Sequence, residues 1–173
     1  STFDKAIIIS ENDKKALKNN QIMVVPNGVS QNVARKPLDN PNEKSIIFTG
    51  NMDYWPNEDA VTFLMEKIVP KLADDIKIYL VGINNNPQVY KYASDRVIVT
   101  GRVPSIFDTI QQATIAVCPM RLGAGQQNKV LEAMAAGVPV VLTSVANSGI
   151  NAKDCVLKAD QAESFALAIE ALF

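Results

Sequence analysis

An α/β protein built on a doubly wound parallel sheet is the fold this sequence predicts. Three observations predict it. Short runs of branched apolar residues recur along the chain, most are followed by a segment of helical periodicity, and three of the runs end in glycine. Strands alternating with helices imply βαβ units and a parallel sheet covered on both faces. Right-handed crossovers then give a Rossmann-like arrangement, with ligands expected outside the carboxyl ends of the strands.

The elements follow in order. "KAIIIS" reads as a strand, "ENDKKALKNN" as a short polar helix, and "QIMVVPNGVS" as a strand running into a Pro-Asn-Gly turn. The polar, proline-bearing stretch 34–44 reads as a connector. Residues 1–44 are therefore expected to join the main domain, 45–173, to something further. "KSIIFTG" (44–50) is a strand ending in glycine, followed by a helix over 57–72 with Asn57 as its N-cap. "IKIYLVG" (76–82) is the next strand, followed by the polar turn "INNNPQ". "RVIVTG" (96–101) is a third strand, and 104–113 a helix with Pro104 and Ser105 at its start. "TIAVCP" (114–119), "PVVLT" (139–143) and "CVLKA" (155–159) supply three more strands, with a closing helix over 160–173. From the opening on "STFDKA" and the stop in a helical pattern at "ALAIEALF", a piece of a longer protein is expected.

The chain has 173 residues, 47% apolar and 20% charged, which suits one soluble domain with a substantial core. A formal net charge of −1 argues against a general nucleic-acid or anionic-membrane binder. There is no histidine, which removes imidazole acid–base chemistry and histidine metal sites together. No metal site and no cofactor are expected. Cys118 and Cys155 are far apart; Cys118, within "IAVCP", reads as a small core residue and no disulfide is expected.

The stretch from Met120 to Thr143, "MRLGAGQQNKVLEAMAAGVPVVLT", carries the chemistry. Gly123 and Gly125 allow dihedrals closed to other residues, so the chain can leave a strand and start a helix abruptly. The first turn of that helix, near Gly125 to Asn128, presents unpaired N–H groups and the positive end of the helix dipole, a site suited to phosphate. Lys129 adds a full positive charge. Glu132, three residues on, shares its face and could accept two hydrogen bonds from a ribose diol. Val130, Leu131, Met134 and Ala135 are expected to face the sheet, and Gly137 with Pro139 ends the helix. A bland alternative is an exposed Lys129–Glu132 helix pair worth a few tenths of a kcal/mol. The pattern is neither the G-x-G-x-x-G fingerprint nor a P-loop.

"GAGQQNKVLEAMAAGVPVVLT" resembles the donor-site segment of retaining glycosyltransferases of the family 4 type, which have the two-domain GT-B fold. "VVPNGVS" resembles their interdomain turn. "FTGNMDYWPNEDAVTFLMEKIVPKL" resembles the first strand, loop and helix of their C-terminal domain, and "VIVTGRV" the strand beside the nucleotide base. The resemblance implies the nucleotide-sugar-binding half of a GT-B enzyme, binding a UDP- or GDP-sugar, with a separate N-terminal acceptor domain. It also implies a cytoplasmic enzyme that associates peripherally with a membrane and transfers sugar to a glycan, lipid or polysaccharide precursor. Carried over, Glu132 would bind the ribose hydroxyls. Lys129 and the amides of residues 124 to 128 would face the diphosphate. Arg102 and Val103 would line the base pocket, and Gly50 and Asn51 would lie beneath the phosphates. Two positions depart from the family pattern. Ala124 stands where the family has a second glutamate for the donor sugar, and no basic pair follows the first strand. Arg121, Gln126 and Gln127 are candidate substitutes. A binding module without catalysis, a sugar-nucleotide epimerase and a nicotinamide-binding domain are the competing readings. The absence of histidine disfavours the epimerase, and the missing early glycine fingerprint disfavours the last.

Overall fold

A computed structural model describes residues 5–17, 21–29, 38–40, 43–83, 86–123, 125–150 and 152–173. The first described elements are β1 (Ala6–Ile8), α1 (Glu11–Leu17) and β2 (Ile22–Val24), whose strands pair in parallel as a small separate sheet. The connector expected at 34–44 lies largely outside the described residues.

The main body begins with β3 (Ser45–Thr49), in which all five residues are buried. That pattern requires cover on both faces, as in a parallel sheet. α2 (Trp55–Phe63) follows, then β4 (Lys77–Val81), α3 (Pro87–Tyr90), β5 (Val97–Gly101), α4 (Ile106–Gln111), β6 (Ile115–Cys118) and α5 (Asn128–Ala135). β7 (Val140–Leu142), α6 (Ser144–Asn147), β8 (Leu157–Lys158) and α7 (Ala162–Glu170) complete it. The six strands lie in the order β5-β4-β3-β6-β7-β8, all parallel. Counted from β3 this is the 3-2-1-4-5-6 order of the doubly wound fold, and its direction reverses between β3 and β6. The expected sheet class is borne out.

Helices α4 and α5 cover the sheet face that carries Ile47, Thr49, Ala116, Cys118 and Val140. α7 packs on β7 and β8 and against the tail of α2. Phe48, Phe165, Ile46, Leu64, Ile78 and Ile115 are among the largest fully buried side chains. Each contributes roughly 1.5–3 kcal/mol of transfer free energy.

Local departures from the expected elements have physical causes. The helix expected over 57–72 is α-helical only to Phe63, then widens into a π turn (Leu64–Ile68) and tightens into a 3₁₀ turn (Val69–Lys71). Pro70 lacks an N–H and its ring would collide with the carbonyl four residues back, so a regular α-helix cannot run through it. The N-cap is Tyr54 rather than Asn57, with Pro56 in the first turn, where its missing N–H costs nothing. The turn read at "INNNPQ" gives way at its end to α3, capped by Asn86, whose Oδ1 accepts from the Gln88 amide at 2.9 Å. In α5 the buried residues are Val130 and Ala133, while Leu131, Met134 and Ala135 are partly exposed. The sheet-facing stripe is thus narrower than expected.

Candidate functional site

Backbone brings the site together before any side chain does. The Gly50 amide donates to the Val81 carbonyl at 3.0 Å, the Gly82 amide to Gly101 at 3.0 Å, and the Met52 amide to Ile83 at 2.8 Å. The loops leaving β3 and β4 are therefore bonded to each other. Gly82 has φ +131°, and a Cβ there would stand 2.0 Å from the Gly50 carbonyl oxygen. Only glycine permits this approach.

At the reversal point between β3 and β6 these loops and the start of α5 enclose a cleft of about 440 Å³. Gly50, Asn51, Asn57, Ile83, Lys129 and Glu132 are among its walls, and Lys129 is the one Lys or Arg among the described residues lining it. Gly123 (φ +119°) and Gly125 (φ +79°) make the sharp exit from β6. The helix itself starts at Asn128, three residues beyond the start near Gly125 expected from the sequence. The Val130 amide bonds Gln127 O at 2.9 Å, so the first-turn amides without a helical partner belong to Asn128 and Lys129.

Lys129 is no exposed helix residue. Its Nζ donates to Asn57 Oδ1 at 2.5 Å, lies 3.7 Å from Met120 Sδ, and sits 4.4 Å from the centroid of the Phe48 ring. Burial holds its pKa below the ordinary lysine value, against the opposing pull of Cys118 and Glu132. Asn57 is itself only 7% exposed, and its Nδ2 donates to the Asn51 carbonyl at 2.8 Å. A Cβ on Gly50 would fall 2.9 Å from Asn57 Nδ2 and 3.3 Å from Lys129 Nζ. The glycine makes room for this wedge.

The remaining sequence candidates divide. Gln126, Gln127 and Asn128 line the cleft. Two of them are also engaged by the turn after β2: the Asn27 amide donates to Gln126 Oε1, and Asn27 Nδ2 to Asn128 Oδ1, both at 2.7 Å. Gly125 packs instead toward Asp13, Ile9 and Gly149. Arg121 turns away, forming a two-pronged contact with the Asp59 carboxylate and stacking 4.9 Å from the Phe63 centroid. Arg121 does not line the cleft. Arg102 is exposed and Val103 partly buried, and neither lines the cleft; Ile83 and Ile106 take that wall. Ala124 lies outside the described residues. A second hollow of about 600 Å³ shares Gln126 and runs between β1, α1, β2 and α6, but has neither Lys129 nor Glu132 in its walls.

A family model described as glycosyl transferases group 1 matches residues 43–173. The chain belongs to this family. Comparison with curated protein sequences gives no match. Solved structures of similar fold include S. aureus TarM in complex with fondaparinux, alpha-GlcNAc-glycerol and UDP, with a TM-score of 0.79 at 18% identity over 98% of this chain and 37% of that one. Anabaena HepE in complex with UDP and glucose gives 0.79 at 14% identity over 97% and 53%. A glycosyltransferase from Rickettsia africae gives 0.79 at 18% identity over 98% and 53%. The group 1 chain thus spans between about a third and a half of the length of these structures. Its fold matches one part of the GT-B architecture, as the sequence led us to expect.

Among the walls of this group 1 cleft that sequence reasoning missed are Asn57, Ile83 and Ile106. Ile83 carried a readable signal, an apolar residue directly after a glycine-ended strand at the carboxyl rim. Asn57 carried one too, as the polar residue after Pro56, but it was assigned to the helix cap.

Proposed function

We propose that the chain is the donor-binding part of a glycosyltransferase, binding a nucleoside diphosphate sugar for transfer to a glycan, lipid or polysaccharide precursor. The observation that carries this reading is the cleft at the sheet's reversal point, which joins the amide-bearing start of α5, the Lys129 ammonium and the Glu132 carboxylate. Ligands of doubly wound sheets bind at this point. TarM was solved with UDP and HepE with UDP-glucose, which agrees with a nucleotide-sugar ligand for the same fold.

In this reading the diphosphate lies against the α5 amides and Lys129, over Gly50 and Asn51. Glu132 takes the ribose hydroxyls, and the base lies along Ile83 and Ile106. Transfer builds negative charge on the departing diphosphate. A helix start and one ammonium, both in place beforehand and partly shielded from water, stabilise that charge more than they stabilise the intact donor. Gln126 and Gln127 are the candidates for sugar contacts in place of the carboxylate absent at residue 124. Residues 1–44 would lead to an acceptor-binding half, and the enzyme would work in the cytoplasm, at a membrane face where its acceptor is lipid-linked. Among the described residues no helix is long and apolar enough to cross a membrane.

Calorimetric titration with UDP, GDP and ADP tests the site. Wild type should bind UDP or GDP, and Glu132→Gln should weaken that binding about tenfold, the loss of about 1.4 kcal/mol. Unchanged affinity in Glu132→Gln removes the ribose assignment. A second reading, binding without transfer, draws on the single cation and on Ala124. Donor hydrolysis or transfer by the longer protein would exclude it.

A further inference from the structure

Building on that donor-site reading, we propose that Asn57 is a positioning residue whose side chain, wedged between the strand-end loop and α5, fixes the Lys129 ammonium where the donor diphosphate binds. Asn57 sits in the first turn of α2 and is buried, yet it does not cap its helix; Tyr54 occupies that place. Its amide is spent on two groups outside its own helix. Nδ2 donates to the Asn51 carbonyl at 2.8 Å, and Oδ1 accepts from Lys129 Nζ at 2.5 Å.

The other neighbours of the ammonium are soft and weakly directional: the Phe48 ring and the Met120 sulfur. A cation over a ring face slides at little cost, whereas a hydrogen bond to an oriented amide oxygen sets one position. A buried amide without partners would be costly, so the helix gains nothing from Asn57 unless both bonds form. Gly50 completes the device, since any Cβ there would push on both Asn57 and Lys129. The titratable groups facing the ammonium are the Cys118 thiol from β6 and the Glu132 carboxylate from α5. Asp59, also on α2, is occupied by Arg121.

The test compares wild type, Asn57→Ala and Asn57→Asp, each checked for folding by circular dichroism. The Lys129 titration is followed by NMR of its Cε and Nζ, assigned with Lys129→Arg, and UDP and GDP affinities are measured across pH. Removing the amide oxygen withdraws a partner that favours the ammonium. Asn57→Ala should therefore titrate at lower pH than wild type and bind the nucleotide about tenfold more weakly at neutral pH. A carboxylate at the same place favours the ammonium more strongly. Asn57→Asp should titrate above wild type, and the pH at which affinity fades should move up with it. A purely structural role would not move that profile. Equal Lys129 midpoints in all three proteins, or full affinity in Asn57→Ala, overturn the proposal while leaving the donor reading standing. Shifted midpoints with no nucleotide binding by wild type overturn both.

Discussion

At the scale of single residues, the tightest constraint lies between Gly50 and Gly82. An alanine at position 82 meets a positive φ and a backbone oxygen 2.0 Å from its methyl carbon. Neither neighbour is a flexible side-chain end, so the strand ends must part. Gly82→Ala should lose about 3 kcal/mol in urea unfolding, from backbone strain and overpacking together. Lys129 gives a pH signature. Its ammonium is less favoured in the folded chain than in the unfolded one, so the unfolded chain binds more protons between the lowered folded value and the ordinary lysine value. Stability from this group therefore rises with pH through that window. Affinity for a diphosphate does the opposite, falling as the ammonium deprotonates at a lower pH than an ordinary lysine would. Calorimetry of UDP or GDP binding across alkaline pH, with Lys129→Arg as control, should show the decline in wild type alone. The spacing of Lys129 and Glu132 made both legible in the sequence. The contacts of Arg121 and Asn57 did not show, because their partners, Asp59 and Lys129, lie 62 and 72 residues away. Local patterns carry no information about pairs closed by the fold.

At the scale of elements, the strands were readable because branched apolar runs bounded by glycine leave few alternatives. Helix ends were readable where a local residue makes them, as Ser105 caps α4 and Gly137 (φ +70°) closes α5, but not where they depend on donors from elsewhere in the fold. Arg96 is an instance. Its guanidinium donates to the carbonyls of Ala73 at 2.6 Å, Ile76 at 3.0 Å and Leu72 at 3.3 Å, closing off the end of the α2 tail. Nothing in "ASDRVIV" (93–99) announces this role; Arg96 simply precedes a strand. Arg96→Ala should destabilise the fold by about 2 kcal/mol in denaturant titration, and Arg96→Lys should recover only part of it, since an ammonium cannot serve the same fork. The start of α5 is steadied in a similar way from the turn after β2. Asn27→Ala removes the side-chain bond to Asn128 and should lower nucleotide affinity severalfold, as read by calorimetry, in line with about 1 kcal/mol for one hydrogen bond.

At the scale of the whole molecule, the class of fold was legible, but the order of strands was not. Alternation of elements is compatible with several windings, and only long-range pairing selected β3 and β6 as the central neighbours. Burial also separates the two thiols. Cys118 is fully enclosed, and burial pushes its pKa up to about 11, whereas Cys155 is exposed. A thiol reagent should label one cysteine in the native chain and a second only on unfolding, as counted by mass spectrometry. The small sheet of β1 and β2 behaves unlike the rest. Its strands are three residues each, with Ile7 67% and Met23 51% exposed. Among the described residues no third strand pairs with these two, so their outer edges lie open beside apolar side chains, an invitation to another strand. In a concentrated solution of this chain, sedimentation should therefore reveal reversible self-association that a lysine substituted for Ile7 abolishes.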